Sequence, residues 1–274
     1  MLEEIQYKIL RRMASDAPGY CNGTAYKGKS KLALLLGQSF IQTVRGKTVI
    51  DFGCGEGIEA VELAKNGASR VFGVDIRASM LETAKRNAAA AGVQHICHFD
   101  FSAEALADII ISIDSFEHYS DPIGVLSTMS SLLKPSGQVI ISFGPPWYHP
   151  FGGHLFSVFP WAHLIFSEKA LIRWRSHFKT DGAKRFSEVA GGLNQMTIRR
   201  FKNVVATSPF EIKQVELVPI RKLNVFHNQL TREFTTALVR CRLVKCSQSR
   251  KVNYTDHAQP MASVVRLHTE DAWR

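Results

Sequence analysis

The sequence lacks the long apolar runs of a membrane protein. No stretch reaches the roughly 18 to 20 uninterrupted apolar residues of a membrane-spanning helix, and residues 1–20 lack the apolar centre of a signal peptide. A cytoplasmic location is therefore predicted. Internal repeats and low-complexity segments are also missing, and the 45% hydrophobic content of the 274 residues is ordinary for a globular protein with a real core.

Cysteine is scarce and is not spaced as a metal site or a disulfide framework requires. The five cysteines are an odd number, and the nearest pair, Cys241 and Cys246, is five positions apart. This spacing fits neither a set of disulfides nor a CxxC zinc site. Reduced, mostly buried thiols and no metal are expected.

Acidic residues are in the minority, and their distribution is uneven. The net charge is +10, yet acidic residues outnumber basic ones between 51 and 167, while basic residues dominate 1–50 and 168–251. Basic flanks are compatible with an anionic lipid, nucleic acid or substrate as partner, although a solvated basic face is the commoner meaning.

From Thr48 onward, apolar runs and helical periods alternate along the chain. Such alternation is typical of a doubly wound α/β fold whose mostly parallel sheet carries helices on both faces. The predicted strands are 48–52, 70–75, 95–100, 108–113, 138–143, 211–219 and 235–244. The predicted helices are 57–66, 78–90, 122–133, 168–178 and 195–206.

The regions outside this alternation divide the chain further. Helical periods over 1–14 and 29–44 indicate a helical N-terminal cap over residues 1–46. The main domain is predicted over 47–246 with a substrate-binding insertion at 145–209, and 247–274 has the polar composition of a mobile tail.

The organising stretch is residues 48–57, TVIDFGCGEG, in which an apolar strand leads into Gly53, Gly55 and Gly57. Dinucleotide sites also use a glycine loop with a distant acid, here Asp75, but their pattern is GxGxxG. The GxGxG spacing and the acid at Asp51 instead favour a ligand with an ammonium and a sulfonium, such as S-adenosylmethionine.

Several linked stretches support that interpretation: DFGCGEG, Gly73–Ile76, Ser112–His118 and Leu132–Gly137. Together they resemble the class I S-adenosylmethionine-dependent methyltransferases, in particular the methyltransferase type 11 group. The resemblance covers residues 47–144. It implies a seven-stranded Rossmann-like sheet, and the last predicted strand suits the antiparallel strand that this family inserts at the end of its sheet.

The resemblance also implies how the cofactor is held. The main chain at Gly53, Cys54 and Gly55 would lie against the methionine part, with Asp51 holding its ammonium. Asp75 would accept both ribose hydroxyls. The remaining expected cofactor contacts are Ile76 on the adenine, Asp100 and Phe101 at its edge, and Asp114 and Ser115 near the sulfonium.

Methyl transfer needs a base only when the accepting atom carries a proton, and histidine titrates in the useful range. The candidates are His118, His149, His154 and His163. His154 is the first choice and His118 the second, although a plain hydrogen-bonding role is an equal alternative for both.

The segment after the fifth predicted strand is rich in aromatic residues. Trp147, Tyr148, His149 and Trp161 are predicted to line a pocket for a small, largely apolar acceptor. The alternative is an auxiliary core. The basic residues nearby, Arg173, Arg175, Lys184 and Arg185, are compatible with peripheral contact with an anionic membrane.

Rival interpretations remain open at this point. Methylation of RNA or protein would suit the basic flanks, although no nucleic-acid module is evident. A non-catalytic cofactor-binding partner protein and an NAD oxidoreductase are further alternatives, and the oligomeric state is not readable from the residues.

Overall fold

The computed structural model describes residues 2–14, 28–189 and 191–246. Its centre is a seven-stranded sheet in the order β3-β2-β1-β4-β5-β7-β6. The strands are β1 (Thr48–Phe52), β2 (Arg70–Val74), β3 (Cys97–Asp100), β4 (Ala107–Ile113), β5 (Leu133–Phe143), β6 (Phe210–Pro219) and β7 (Thr236–Lys245). Strands β1 to β5 are parallel, and β7 runs antiparallel between β5 and β6. The predicted doubly wound fold is confirmed, including the antiparallel last strand.

The helices lie before, between and after these strands. They are α1 (Leu2–Met13), α2 (Lys31–Leu36), α3 (Gln38–Thr43), α4 (Ile58–Lys65), α5 (Ala78–Ala90), α6 (Pro122–Leu132), α7 (Ala162–Ile165), α8 (Glu168–Arg175), α9 (Ile198–Ala206) and α10 (Arg232–Thr235). Among the parts of the chain that the structure describes, no helix is long and apolar enough to cross a membrane. The cytoplasmic location stays a prediction.

The pleat of β4 shows why both faces of the sheet are covered. Ile109, Ile111 and Ile113 pack into the core with α2 to α5, whereas Ile110 packs into the opposite core with α6 and α9. Successive side chains of a strand point to opposite faces, so an unbroken apolar run buries both.

Several element boundaries differ from the prediction by one to three residues, and two differences are larger. The single helix expected over 29–44 is interrupted at Gly37, whose φ of 87° lies outside the helical range. Strand β5 begins at Leu133 instead of 138, because Leu133 pairs with Ala107 before the register shifts. Short α7 and α10 were not predicted, since four residues carry too little periodicity.

The N-terminal helix and the insertion share a third hydrophobic core. Leu10 of α1 is buried with Trp147, Phe156, Trp174 and Phe186. At its edges Arg173 pairs with Glu4 at 2.5 Å, and the Trp174 indole donates to the Ala14 carbonyl at 2.9 Å. The predicted division into cap, domain and insertion stays a prediction, and the predicted mobile tail, 247–274, lies outside the described residues.

Candidate active site

The glycine loop after β1 is held against β2. The amides of Gly53 and Cys54 both donate to the Val74 carbonyl, at 2.7 and 3.0 Å. Gly53, Gly55 and Gly57 have φ values of 85°, 51° and 72°, a region that residues with a side chain rarely adopt. The backbone turns tightly here, and the loop opens at the carboxyl edge of the sheet, where α/β proteins bind ligands.

The three glycines serve different purposes. A Cβ on Gly53 would lie 2.6 Å from Ser115 Oγ, and one on Gly57 would lie 2.7 Å from the Ala84 Cβ. A Cβ on Gly55 would meet only the Arg77 guanidinium, at 3.9 Å. Gly53 and Gly57 are therefore required by packing, while Gly55 faces the open side where a ligand would lie.

This difference gives a stability prediction. Gly57→Ala should lower the free energy of unfolding by about 2–4 kcal/mol, because it adds a steric clash to an unfavourable φ. Gly55→Ala should lower it by about 1–2 kcal/mol, since only the backbone preference is lost. Urea unfolding of both variants measures the difference, and equal losses would contradict the assignment of Gly57 to packing.

Asp75 follows β2 and is buried beside the loop. Its carboxylate accepts from the Gly55 amide at 2.9 Å and from the Arg77 amide at 2.9 Å. The Arg77 side chain adds two hydrogen bonds, from Nε at 3.1 Å and Nη2 at 3.2 Å. A carboxylate offers about four acceptor positions, so a ligand that displaces the half-exposed Arg77 guanidinium finds two of them open.

Asp51 is almost fully buried in β1, between Gly73 and Ile111 of the neighbouring strands. Its Oδ2 is buried without a hydrogen-bond partner among the described residues. Burial, and then the nearby Glu59, hold the pKa of Asp51 well above its usual range. A buried carboxylate oxygen with no donor suits an incoming ammonium, so this part of the site fits the methionine end of S-adenosylmethionine.

A second group of charges lies at the carboxyl end of β4. Asp114 adopts a left-handed φ of 49° and pairs with Lys31 of α2, Nζ to Oδ2, at 2.9 Å. Lys31 also lies 3.7 Å from Glu59 Oε1. Sequence reasoning missed Lys31, because nothing in a helical period tells that α2 packs over the end of β4.

Glu117, also missed, is buried in the 3₁₀ turn Phe116–His118. Its Oε1 accepts from the Gly144 amide at 3.3 Å, while Oε2 has no partner among the described residues. Burial, reinforced by Asp114, raises the pKa of Glu117 to about 8. Burial therefore favours the protonated carboxyl, whereas a cation nearby would favour the ionised form. Glu117 lies in Ser112–His118, one of the stretches that resemble the family, and this was the sequence signal that could have identified it.

This raised pKa predicts a pH-dependent preference for the charged cofactor. Binding of cationic S-adenosylmethionine should drive Glu117 to ionise and release its proton, so affinity rises as pH increases toward about 8. Neutral-sulfur S-adenosylhomocysteine should show a smaller rise. Calorimetry between about pH 6 and 7.5 should give a several-fold change in the affinity ratio, and a Glu117→Gln variant with the same pH dependence would contradict this.

The residues expected around the adenine lie along one edge of the loop. Ile76 and Phe101 are 67% and 41% exposed, so their side chains are accessible to a ring that packs on them. Asp100 ends β3, and its Oδ1 accepts from the Phe101 amide at 2.7 Å. These three are brought to the same edge as Asp75, since Asp100 pairs with Val74.

Cys54 and Ser115 play supporting parts. The Cys54 thiol is buried, and burial raises its pKa far above the ordinary value, so its side chain is not a nucleophile. Ser115 Oγ lies 3.1 Å from the Gly53 carbonyl and 3.0 Å from that of Ile113, which ties the glycine loop to the end of β4.

The aromatic segment forms mainly an auxiliary core. Trp147 is 9% exposed and packs on His163 and Phe186, with ring centroids 4.7 and 5.5 Å apart. Tyr148 stacks on Phe234 at 5.3 Å, and the Trp161 indole donates to the Tyr148 carbonyl at 2.9 Å. Tyr148 is the more exposed of the predicted acceptor residues, whereas Trp147 is committed to packing.

Two of the four candidate histidines, His163 and His149, have hydrogen bonds that do not suit a general base. His163 donates from Nε2 to the Trp147 carbonyl at 2.7 Å, and its Nδ1 lies 3.0 Å from Ser157 Oγ. His149 Nδ1 accepts from the Phe151 amide at 2.9 Å, and burial lowers its pKa to about 4. His163 therefore has no ring nitrogen left for a reaction. His149 uses Nδ1 to accept a hydrogen bond within its own turn.

His118 and His154 lie side by side, with ring centroids 5.4 Å apart. His118 Nδ1 lies 2.7 Å from the Gly192 carbonyl and must carry the proton, because a carbonyl only accepts. Burial lowers the pKa of His118, so Nε2 of the neutral ring is a free base. His154 is more deeply placed, and burial lowers its pKa to about 3.

A cleft of about 360 Å³ opens beside His118, within the range of small-molecule sites. Its lining is mostly polar: His118, Ser120, Glu168, Arg185, Ser187, Gly192, Leu193, Asn194, Gln195 and Arg200. The residues predicted to line a pocket for an apolar acceptor do not line this cleft. Of the four predicted substrate residues Trp147, Tyr148, His149 and Trp161, none does so.

The basic face predicted for a membrane is smaller than expected. Arg175 is buried and pairs with Asp181 at 2.5 Å, and Arg173 pairs with Glu4 and covers the Tyr7 ring at 3.9 Å. Only Lys184 and Arg185 of the four remain exposed without a salt bridge to a described residue.

The comparisons with known proteins agree with this geometry. Residues 25–190 match the methyltransferase domain family. The chain therefore belongs to the class I S-adenosylmethionine-dependent methyltransferases, as predicted, and S-adenosylmethionine is its cofactor. A solved S-adenosylmethionine-dependent methyltransferase of Mesorhizobium loti shares the fold, with a TM-score of 0.51 at 18% identity over 79% of this chain and 98% of that one.

Curated relatives match about a third of this chain. The chain is 37% identical over 106 residues to the ubiquinone biosynthesis O-methyltransferase of Neisseria meningitidis serogroup C, covering 36% of this chain and 44% of that protein. It is 39% identical over 98 residues to the ribosomal protein L11 methyltransferase of Vibrio cholerae, covering 35% and 33%. The chain thus spans less than half the length of these relatives.

Proposed function

We propose that this protein transfers a methyl group from S-adenosylmethionine to a small-molecule acceptor bound in the cleft beside His118. One observation carries the proposal: residues 114–118 connect the acids Asp114 and Glu117, which follow β4, to His118 in the lining of the cleft. The Neisseria relative is named as an O-methyltransferase of ubiquinone biosynthesis, which supports the same class of acceptor.

The proposed cofactor contacts are supported by the burial and hydrogen bonds around the glycine loop. Asp75 holds the ribose hydroxyls, and Ile76, Asp100 and Phe101 hold the adenine. The main chain at Gly53, Cys54 and Gly55 runs along the methionine part. Asp51 accepts from the ammonium of the methionine part. Lys31, which pairs with Asp114 at 2.9 Å, is proposed to meet the carboxylate of the cofactor. Asp114 and Ser115 lie toward the sulfonium.

When bound, S-adenosylmethionine supplies an electrophilic methyl group on a sulfonium, so the protein's task is alignment and exclusion of water. His118 Nε2 takes the proton when the accepting atom carries one. His154, whose ring packs on His118, is proposed to keep that ring in place. Tyr148, His149 and Trp161, next to the buried Trp147, lie outside the cleft lining and are proposed to contact the part of an acceptor that extends beyond the cleft.

A labelling experiment tests this proposal. The protein is incubated with methyl-labelled S-adenosylmethionine and a cell extract, and products are separated by size. Label in small molecules, absent with Asp75→Ala, is expected. Label in RNA or protein would favour the macromolecular alternative, for which the Vibrio relative is a precedent in name. No label despite intact S-adenosylhomocysteine binding would favour a non-catalytic partner protein.

Peripheral contact with an anionic membrane stays a further prediction. With Arg173 and Arg175 paired, it would depend on Lys184 and Arg185. A small-molecule acceptor in solution does not require it.

A further inference from the structure

The lining of the acceptor cleft includes two arginines. Arg185 precedes the 3₁₀ turn Phe186–Glu188, and Arg200 lies in the first turn of α9. Both side chains are exposed, and neither forms a salt bridge with any described residue. Guanidinium groups bind carboxylates and phosphates through paired hydrogen bonds, a geometry that lysine does not offer.

The same lining contains one carboxylate, and its position is fixed by the backbone. Glu168 Oε1 accepts from the Phe186 amide at 2.5 Å. It therefore braces the turn that presents Arg185. With His118 neutral, the lining carries two cations and one anion, so the cleft as a whole favours a negatively charged ligand.

Arg200 is also fixed relative to His118. Its Nη1 donates to the Asn194 carbonyl. The Asn194 side chain donates in turn to the carbonyls of Phe116 and Tyr119, at 2.8 and 2.9 Å, and the Asn194 amide donates to the Glu117 carbonyl at 2.9 Å. The guanidinium is thus tied by hydrogen bonds to the turn that bears His118.

We propose that the cleft takes a methyl acceptor with an anionic group, a carboxylate or a phosphate, bound by Arg200 and Arg185 while the accepting atom faces His118. This inference rests on the proposed function. In the transfer, the accepting atom forms a bond to the methyl carbon as the carbon–sulfur bond breaks, and its proton passes to His118 Nε2. The arginines hold the anionic group away from the methyl donor, so that group is not itself methylated.

Binding of simple aromatic probes tests the proposal without knowledge of the acceptor. Benzoate, phenyl phosphate and neutral phenol are titrated by ligand-observed NMR into the full chain saturated with S-adenosylhomocysteine. At least one anion should bind about tenfold tighter than phenol, and the two anions distinguish carboxylate from phosphate. Arg200→Gln and Arg185→Gln should each weaken anion binding about three- to tenfold.

Matched variants separate a specific site from a general basic surface. Arg199→Gln, the neighbouring exposed arginine outside the cleft lining, should leave anion binding unchanged. Arg200→Lys should lose part of the anion binding, because lysine keeps the positive charge but not the paired hydrogen-bond donors of the guanidinium. The S-adenosylhomocysteine affinity of each variant, measured by calorimetry, should stay at the wild-type value. This control shows that the variants fold.

Two results would overturn the inference. One is anion binding no tighter than that of phenol, and the other is an equal loss in Arg199→Gln and Arg200→Gln. Failure of the proposed function looks different: anions bind as described, yet the labelling experiment yields no methylated small molecule.

Discussion

Replacing His118 by alanine should lower kcat by a factor of about 100 to 10,000, the usual effect of losing a general base. The reason is geometric: Nδ1 is committed to the Gly192 carbonyl, so the free Nε2 is the atom that can take the acceptor proton. S-adenosylhomocysteine affinity should change little. Steady-state kinetics with the acceptor identified by labelling, together with calorimetry, measure both quantities.

The assignment of His118 as the general base also predicts the direction in which kcat/KM changes with pH. A general base works when deprotonated, and burial lowers the pKa of His118 below its ordinary 6.5. With S-adenosylmethionine saturating, the wild-type kcat/KM for the acceptor should therefore rise with pH only on the acid side of 6.5 and be level at neutral pH. His154→Ala is the matched control and should lose far less than His118→Ala. A greater loss at His154 would reassign the base to that residue.

Asp75→Asn should weaken S-adenosylhomocysteine binding by about 1.5–3 kcal/mol, or roughly 10- to 150-fold, the range for hydrogen bonds to a charged group. The amide keeps one acceptor oxygen and loses the charge, so two ribose hydroxyls can no longer both be bound. The variant also loses a partner of the Gly55 amide, which positions the loop. Isothermal titration calorimetry measures the change directly.

Arg77→Gln is the informative control for Asp75. Its guanidinium occupies acceptor positions on Asp75 that the ribose would need, and it is half exposed, so its release should require little free energy. Affinity should stay the same or rise a few-fold. Unchanged binding in Asp75→Asn, or a collapse of binding in Arg77→Gln, would remove Asp75 from the ribose site.

Much of the fold was predictable because its signals are local. Strand β1 begins and ends where the apolar run predicted, Thr48–Phe52, and α5 matches the predicted 78–90. The interruption at Gly37 was not predictable, because an apolar period continues on both sides of it. The start of β5 at Leu133 depends on pairing with Ala107, which is a tertiary contact.

The cofactor side of the site could be predicted for a related reason. Parallel strands end at one edge, so acids after β1, β2, β3 and β4 had to meet there. Lys31 and the 192–195 wall of the cleft come from elements that no periodicity places near that edge. The aromatic segment shows the same limit: composition alone cannot tell a ligand wall from a core, and Trp147 with Phe156 is buried in the latter.

A crystal structure of the complex with S-adenosylhomocysteine tests most directly whether donor site and acceptor cleft meet at His118. The ribose hydroxyls should lie within hydrogen-bond distance of the Asp75 carboxylate, with the Arg77 side chain displaced. The sulfur should face the cleft on the side of His118 Nε2. A cofactor whose ribose binds away from Asp75, or whose sulfur is walled off from that cleft, would contradict the account.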